Sequence, residues 1–140
     1  MAGLNNGLWC YAIQQNFAQN NGKMGGLLIQ FREIKLSDKP IFDMVFRQNK
    51  FEACECTFTN MFMWRNAFNI QWTMVGDFLC IKAGRDGDII MLPPYGPAGA
   101  DIRPAVDAML DYFAQHKLPF ILKGVTQRDV DALNAAYPGL

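Results

Sequence analysis

Residues 70–94 read IQWTMVGDFLCIKAGRDGDIIMLPP, and the architecture turns on them. Three runs rich in β-branched and aromatic residues, IQWTMV, FLCIKA and IIMLPP, are separated by Gly76-Asp77 and by GRDGD. Gly-Asp pairs supply the positive-φ positions that tight hairpins require. The stretch therefore predicts a three-strand antiparallel meander.

Towards the C-terminus, YGPAGA is a Gly/Pro loop, and Asp101 is placed to cap the helix IRPAVDAMLDYFAQHK. Ile102, Ala105, Val106, Met109, Leu110 and Phe113 recur at helical spacing and make its buried stripe. PFILKGV is a buried strand. Thr126, with Asp129 three positions on, has the form of a capping box for a last helix through Val130, Leu133 and Tyr137.

Towards the N-terminus, CTFTNMFMWRNAF (residues 56–68) is apolar on nearly every side as a helix, with Thr57 or Thr59 as N-cap. Before it, Ser37 is placed to cap DKPIFDMVFRQN, whose Pro40 is tolerated in the first turn. Ile41, Phe42, Val45 and Phe46 form its apolar stripe, and FREI is a short strand. Residues 1–30 differ, with Lys23 as their single charge and many Asn, Gln and Gly. They read as a poorly patterned extension with a short helix around 7–19 and a flexible linker at Gly25-Gly26. Because the domain pattern starts only at Phe31, a translation start near Leu27–Ile29 also fits.

The element order is strand, helix, helix, meander, helix, strand, helix. That order predicts an α/β (α+β) domain over 31–140, with a mixed, mostly antiparallel sheet flanked by helices on both faces. The 140 residues are 51% hydrophobic, with 13 basic and 13 acidic residues, which gives no electrostatic case for DNA or an anionic surface. The cysteines are Cys10, Cys54, Cys56 and Cys80, and the one histidine is His116. The CxC pair lacks a second pair for zinc, so no metal site is expected. Without a secretory pattern or an apolar run long enough to span, the sequence predicts a soluble cytoplasmic protein.

The run TFTNMFMWR within Glu55–Arg65, and LPPYG after it, resemble a bacterial family of unknown function. That family is similar to the C-terminal catalytic region of phosphatidylglycerol lysyltransferase. The resemblance covers the chain from about Phe31 to its end. It implies two tandem acyl-CoA N-acyltransferase (GNAT) folds, with this chain matching the first, truncated before its closing strands. It also implies acyl-CoA or aminoacyl-tRNA as donor for the full-length family, and an amine or hydroxyl acceptor. A missing second GNAT-like unit or self-association would then cover the apolar helix and the open sheet edge.

In a GNAT fold the donor pyrophosphate lies on amides at the start of the helix after the fourth strand. The matching stretch is PPYGPAGADI, with Gly96, Gly99 and Ala100 as weak anion-loop candidates. Pro97 removes one donor there, and Asp101 competes for the positive helix end. On the apolar helix, Phe58, Met61, Trp64 and Arg65 are the candidates for an interface or a ligand groove. Arg65 needs a partner on such a surface, which Glu52, Glu55 or a carbonyl could supply. Glu33, Glu55, Asp77 and His116 are bases by type only, and no catalytic residue is assigned. Two function classes follow. One is a non-catalytic or acceptor-recognition unit that self-associates as a homo-oligomer, and the other is an active acyl- or aminoacyltransferase.

Overall fold

The computed structural model describes residues 3–5, 8–12, 29–49, 57–85 and 87–138. Its elements run β1 (Gly3–Asn5), β2 (Leu8–Ala12), β3 (Arg32–Glu33), a 3-10 turn (Leu36–Asp38), α1 (Lys39–Asn49) and α2 (Phe58–Trp64). The meander β4 (Gln71–Val75), β5 (Phe78–Arg85) and β6 (Asp88–Met91) follows, then α3 (Arg103–Gln115), β7 (Ile121–Val125) and α4 (Gln127–Ala136). They form one seven-stranded sheet in the order β1-β2-β7-β6-β5-β4-β3. Every neighbouring pair is antiparallel except β6 and β7, which are parallel.

Helices cover both faces of the sheet, and β5 shows why. Its residues from Phe78 to Lys82 are all buried, so successive side chains serve opposite cores. Phe78 and Cys80 join Val106, Met109 and Phe113 of α3 and Leu133 of α4. Leu79 and Ile81 join Phe42 and Val45 of α1 and Phe58 and Met61 of α2. Full burial of side chains of this size stabilises by about 1.5–3 kcal/mol each. The mixed, mostly antiparallel sheet with helices on both faces is the architecture expected from the element order.

Trp72 of β4 anchors the second core. It is fully buried, meets Phe42 edge-on at 5.2 Å and lies 4.1 Å beneath the Arg32 guanidinium. Its indole N–H donates to the Asp38 carboxylate at 3.2 Å, which also accepts from the Lys35 backbone N–H at 2.8 Å. Asp38, rather than Ser37, therefore closes the turn into α1. A carboxylate reaching both an amide and an indole satisfies two donors, which the exposed Ser37 does not.

Three other expectations are corrected. Residues 8–12 form a strand, not a helix, because β2 finds a partner in the edge of β7, with Trp9 opposite Val125 and Ala12 opposite Ile121. That pairing also means the outer edge of β7 is not open. Residues 7 and 13–19 of the expected helix, and the expected linker at Gly25-Gly26, lie outside the described residues. The apolar helix is short and one-sided. Phe58 and Met61 are buried, whereas Met63, Trp64 and Phe68 are 65%, 51% and 54% exposed. Finally, α3 begins one residue later than expected, with Ile102 rather than Asp101 as N-cap.

Thr57 caps α2 by accepting from the Asn60 N–H at 3.2 Å, and the Thr126–Asp129 capping box forms as expected. The turn after α2 is held to the far end of β5. Gly84 N–H donates to Phe68 O at 2.7 Å, and Asn69 Nδ2 donates to Gly84 O at 3.2 Å. Gly84 has φ +107°, and a Cβ there would sit 2.1 Å from the Asp88 carbonyl oxygen. Replacing it (Gly84→Ala) is expected to cost about 2–3 kcal/mol in urea denaturation, from backbone strain plus the clash. A cost under about 0.5 kcal/mol, the scatter of ordinary surface changes, would contradict this account.

Candidate functional site

The parallel strands β6 and β7 share one registered pair, Met91 with Leu122. After Met91 the chain runs into Pro93 and Pro94, neither of which has an N–H to offer a neighbour. It follows β5 instead, where Tyr95 and Leu79 exchange hydrogen bonds of 2.7 and 3.0 Å. The strands therefore part, and a groove of about 720 Å³ opens beside the residues that follow them. Ligands in open α/β sheets favour such crevices beyond the carboxyl ends of strands.

One wall is the loop Gly96–Ile102 with Arg103, and the other is α4, from Thr126–Asp129 to Ala132, Ala135 and Ala136. Phe78 and Pro94 also line it. The alanines lie off the buried stripe of α4, so the wall is shallow and smooth. Tyr137, at the end of α4, donates its hydroxyl to the Asp107 carboxylate at 2.6 Å and so ties α4 to α3. Burial, and then that carboxylate, push the Tyr137 hydroxyl well above its ordinary range.

The loop candidates all line this groove, but their groups have other work. Gly96 is buried, and a Cβ there would lie 2.3 Å from the Phe78 ring, so the residue is glycine for packing. Gly99 takes φ +78°, and the Ala100 N–H closes a turn on Pro97 O at 3.2 Å. At the start of α3, Asp101 Oδ1 accepts from the Arg103 backbone N–H at 3.0 Å. The same carboxylate takes Nε and Nη2 of Arg103, each at 2.9 Å at its nearest. Pro104 has no N–H. The helix start is thus filled by the chain's own anion, and the Arg103 side chain and backbone hold the Asp101 carboxyl below its usual range.

The titratable candidates are scattered. Glu33 sits on an edge strand, Asp77 in the β4–β5 turn and His116 at the end of α3, where its Nδ1 is 2.8 Å from Tyr112 O. Glu52, Glu55, Cys54 and Cys56 lie outside the described residues. Cys80 is buried, and burial pushes its thiol up to about 12, which leaves it unreactive. Among the described residues no group of three or more His, Cys, Asp or Glu is placed to hold a metal, and no helix is long and apolar enough to cross a membrane.

The apolar-helix candidates separate. Phe58 and Met61 belong to the core, with Phe58 edge-on to Phe42 at 5.4 Å. Arg65 finds its partner in a carbonyl, donating to Phe62 O at 2.6 Å while lying 3.7 Å over the Phe62 ring. Trp64 remains outside and tilts against Phe68 at 5.6 Å, with Met63 beside it in the chain. The turn beneath is pinned by Arg85, which donates to Asn66 O at 2.6 Å.

Sequence reasoning missed Lys82. It is 7% exposed, donates to the Tyr112 hydroxyl at 2.9 Å and has the Phe31 and Tyr112 ring centroids at 5.0 and 5.1 Å. Its one available signal was a lysine at an inward-facing position of a strand otherwise buried on both sides. Tyr112→Phe is expected to cost roughly 1–3 kcal/mol in urea denaturation, because the ammonium loses its acceptor. Lys82→Met should be near neutral, since the charge and its desolvation leave together. The reverse order would remove the assigned role.

The Asp101 carboxyl has a lowered folded-state pKa, so its stabilisation is present above the ordinary 3.8 and is lost as pH falls through the lower folded value. The Arg103 amide should report this in an NMR titration, with a midpoint below 3.8. A midpoint at or above that value would show that the contact is not made in solution.

The chain matches the family described as phosphatidylglycerol lysyltransferase, C-terminal, over residues 46–138. Its fold resembles a conserved protein of unknown function from Bacteroides thetaiotaomicron VPI-5482, with TM-score 0.72 and 23% identity. That likeness covers 80% of this chain but 37% of the other, so the chain spans little more than a third of that relative's length. No curated protein matches the sequence. By its matched segment, the chain belongs to the phosphatidylglycerol lysyltransferase C-terminal family.

Proposed function

We propose that this member of the phosphatidylglycerol lysyltransferase C-terminal family is a non-catalytic, acceptor-recognition unit of an acyl- or aminoacyltransferase-related protein. In this reading it is a GNAT-like unit that self-associates through α2. The observation that carries it is the start of α3. A phosphate-bearing donor needs free amides at a helix start. Here Asp101 takes the Arg103 amide and Pro104 supplies none. The groove keeps its volume and its smooth alanine wall, which suit an acceptor without phosphates.

Self-association is supported by the exposed Met63, Trp64 and Phe68 on a pinned turn. The occupant we assign is a second copy. The chain has no formal net charge, so two copies meet without repulsion. A two-fold contact would bury the same aromatic pair from each side.

A second reading, active transfer of an acyl or aminoacyl group from acyl-CoA or aminoacyl-tRNA to an amine or hydroxyl, draws on the family and on the groove's position between parting parallel strands.

Light scattering with size-exclusion chromatography tests the first reading. We expect a dimer that Trp64→Glu converts into folded monomers. A wild-type monomer at tens of micromolar, far above the Kd of a stable dimer, would end the self-association argument. Calorimetric titration with coenzyme A should show no saturation up to about 1 mM, the top of the usual substrate range. Micromolar binding would overturn the non-catalytic reading in favour of the second.

A further inference from the structure

The two walls of the groove are anchored separately. The β6 side, through Tyr95 and Leu79, belongs to the meander. The α4 side hangs on β7, which Thr126 alone separates from the helix. Towards the meander β7 has its one registered pair with β6. On its other side it pairs with β2 at Trp9, Tyr11 and Ala12, across an irregularity between Trp9 and Tyr11. The position of β7 thus depends more on the hairpin β1–β2 than on the strand beside it in the meander.

From this geometry we infer that the outer edge of β7 is a strand-acceptor site, and that its occupant, the N-terminal hairpin, holds the groove in shape. An edge strand offers a row of backbone donors and acceptors to any extended segment of suitable register. Residues 1–12 contain no Lys, Arg, Asp or Glu, so nothing in them opposes docking on a sheet edge by charge. The hairpin also lies outside residues 46–138, the segment matched to the family. It is placed where it steadies one wall. When the hairpin lets go, β7 keeps one registered strand pair, the α3 crossover, the packing of Leu122, Val125 and Leu133 against α3 and the Tyr137–Asp107 bond. The β7–α4 wall then loosens while the meander stays intact. The functional weight of this inference rests on the groove being the recognition site proposed above, whereas its test needs no ligand.

The test is hydrogen exchange by mass spectrometry on the full chain at graded low urea. Residues 8–12 and 121–136 should open as one unit, with the same urea dependence, before residues 71–92. The variant Tyr11→Pro should speed exchange in 121–136 by about tenfold or more and leave 71–92 unchanged, as expected for one sub-global unit. Fraying of 8–12 alone, with 121–136 as protected as 71–92, would overturn the inference. So would a folded Tyr11→Pro variant with unchanged exchange in 121–136. Should that variant unfold altogether, the wild-type urea series decides. Failure of the recognition reading would appear separately, as micromolar coenzyme A binding with the exchange pattern intact.

Discussion

Two consecutive prolines, Pro93 and Pro94, govern the layout of this fold. A parallel strand stays beside its neighbour only while it can alternate donors and acceptors with it, and proline has no donor to give. The pairing of β6 and β7 therefore ends at Met91 and Leu122, and the chain after β6 rejoins β5 through Tyr95. From that parting follow the groove, the position of the loop that leads into α3, and the separate anchoring of α4. The same parting leaves β7 short of partners on one side, which gives the N-terminal hairpin its importance.

Two charged groups on or beside α3 are satisfied in different ways. At its start the partial positive charge is met from within, by Asp101 and its ion pair with Arg103. Nearer its other end Tyr112 takes the Lys82 ammonium on its hydroxyl, with the Phe31 and Tyr112 ring faces about 5 Å away. The first arrangement closes a potential anion site. The second makes a buried lysine tolerable without a carboxylate. Both arrangements engage their charged groups within the fold.

The α2 region separates two kinds of aromatic residue that look alike in sequence. Phe58 and Met61 fall on the side that meets Phe42 and the sheet, and their burial holds the helix down. Trp64 and Phe68 fall on the other side, over a turn fastened to β5 by Gly84, Asn69 and Arg85. An exposed aromatic pair on a fastened turn has little freedom left to lose when it is covered.

The sequence by itself determined the meander, the order of the helices, the Thr126 cap and the stripe of α3, and narrowed the α2 cap to Thr57 or Thr59, because each depends on neighbours a few residues apart. The family was legible in TFTNMFMWR and LPPYG. What only the tertiary structure decided depends on partners distant in the chain. Residues 8–12 are extended because β7 offers an edge at the other end of the sequence, which local periodicity cannot register. Asp38 rather than Ser37 closes the turn before α1 because the indole of Trp72 arrives there from β4. The apolar helix covers one side only because its seven residues, about two turns, run against the sheet and then stop, leaving Met63, Trp64 and Phe68 to the outside.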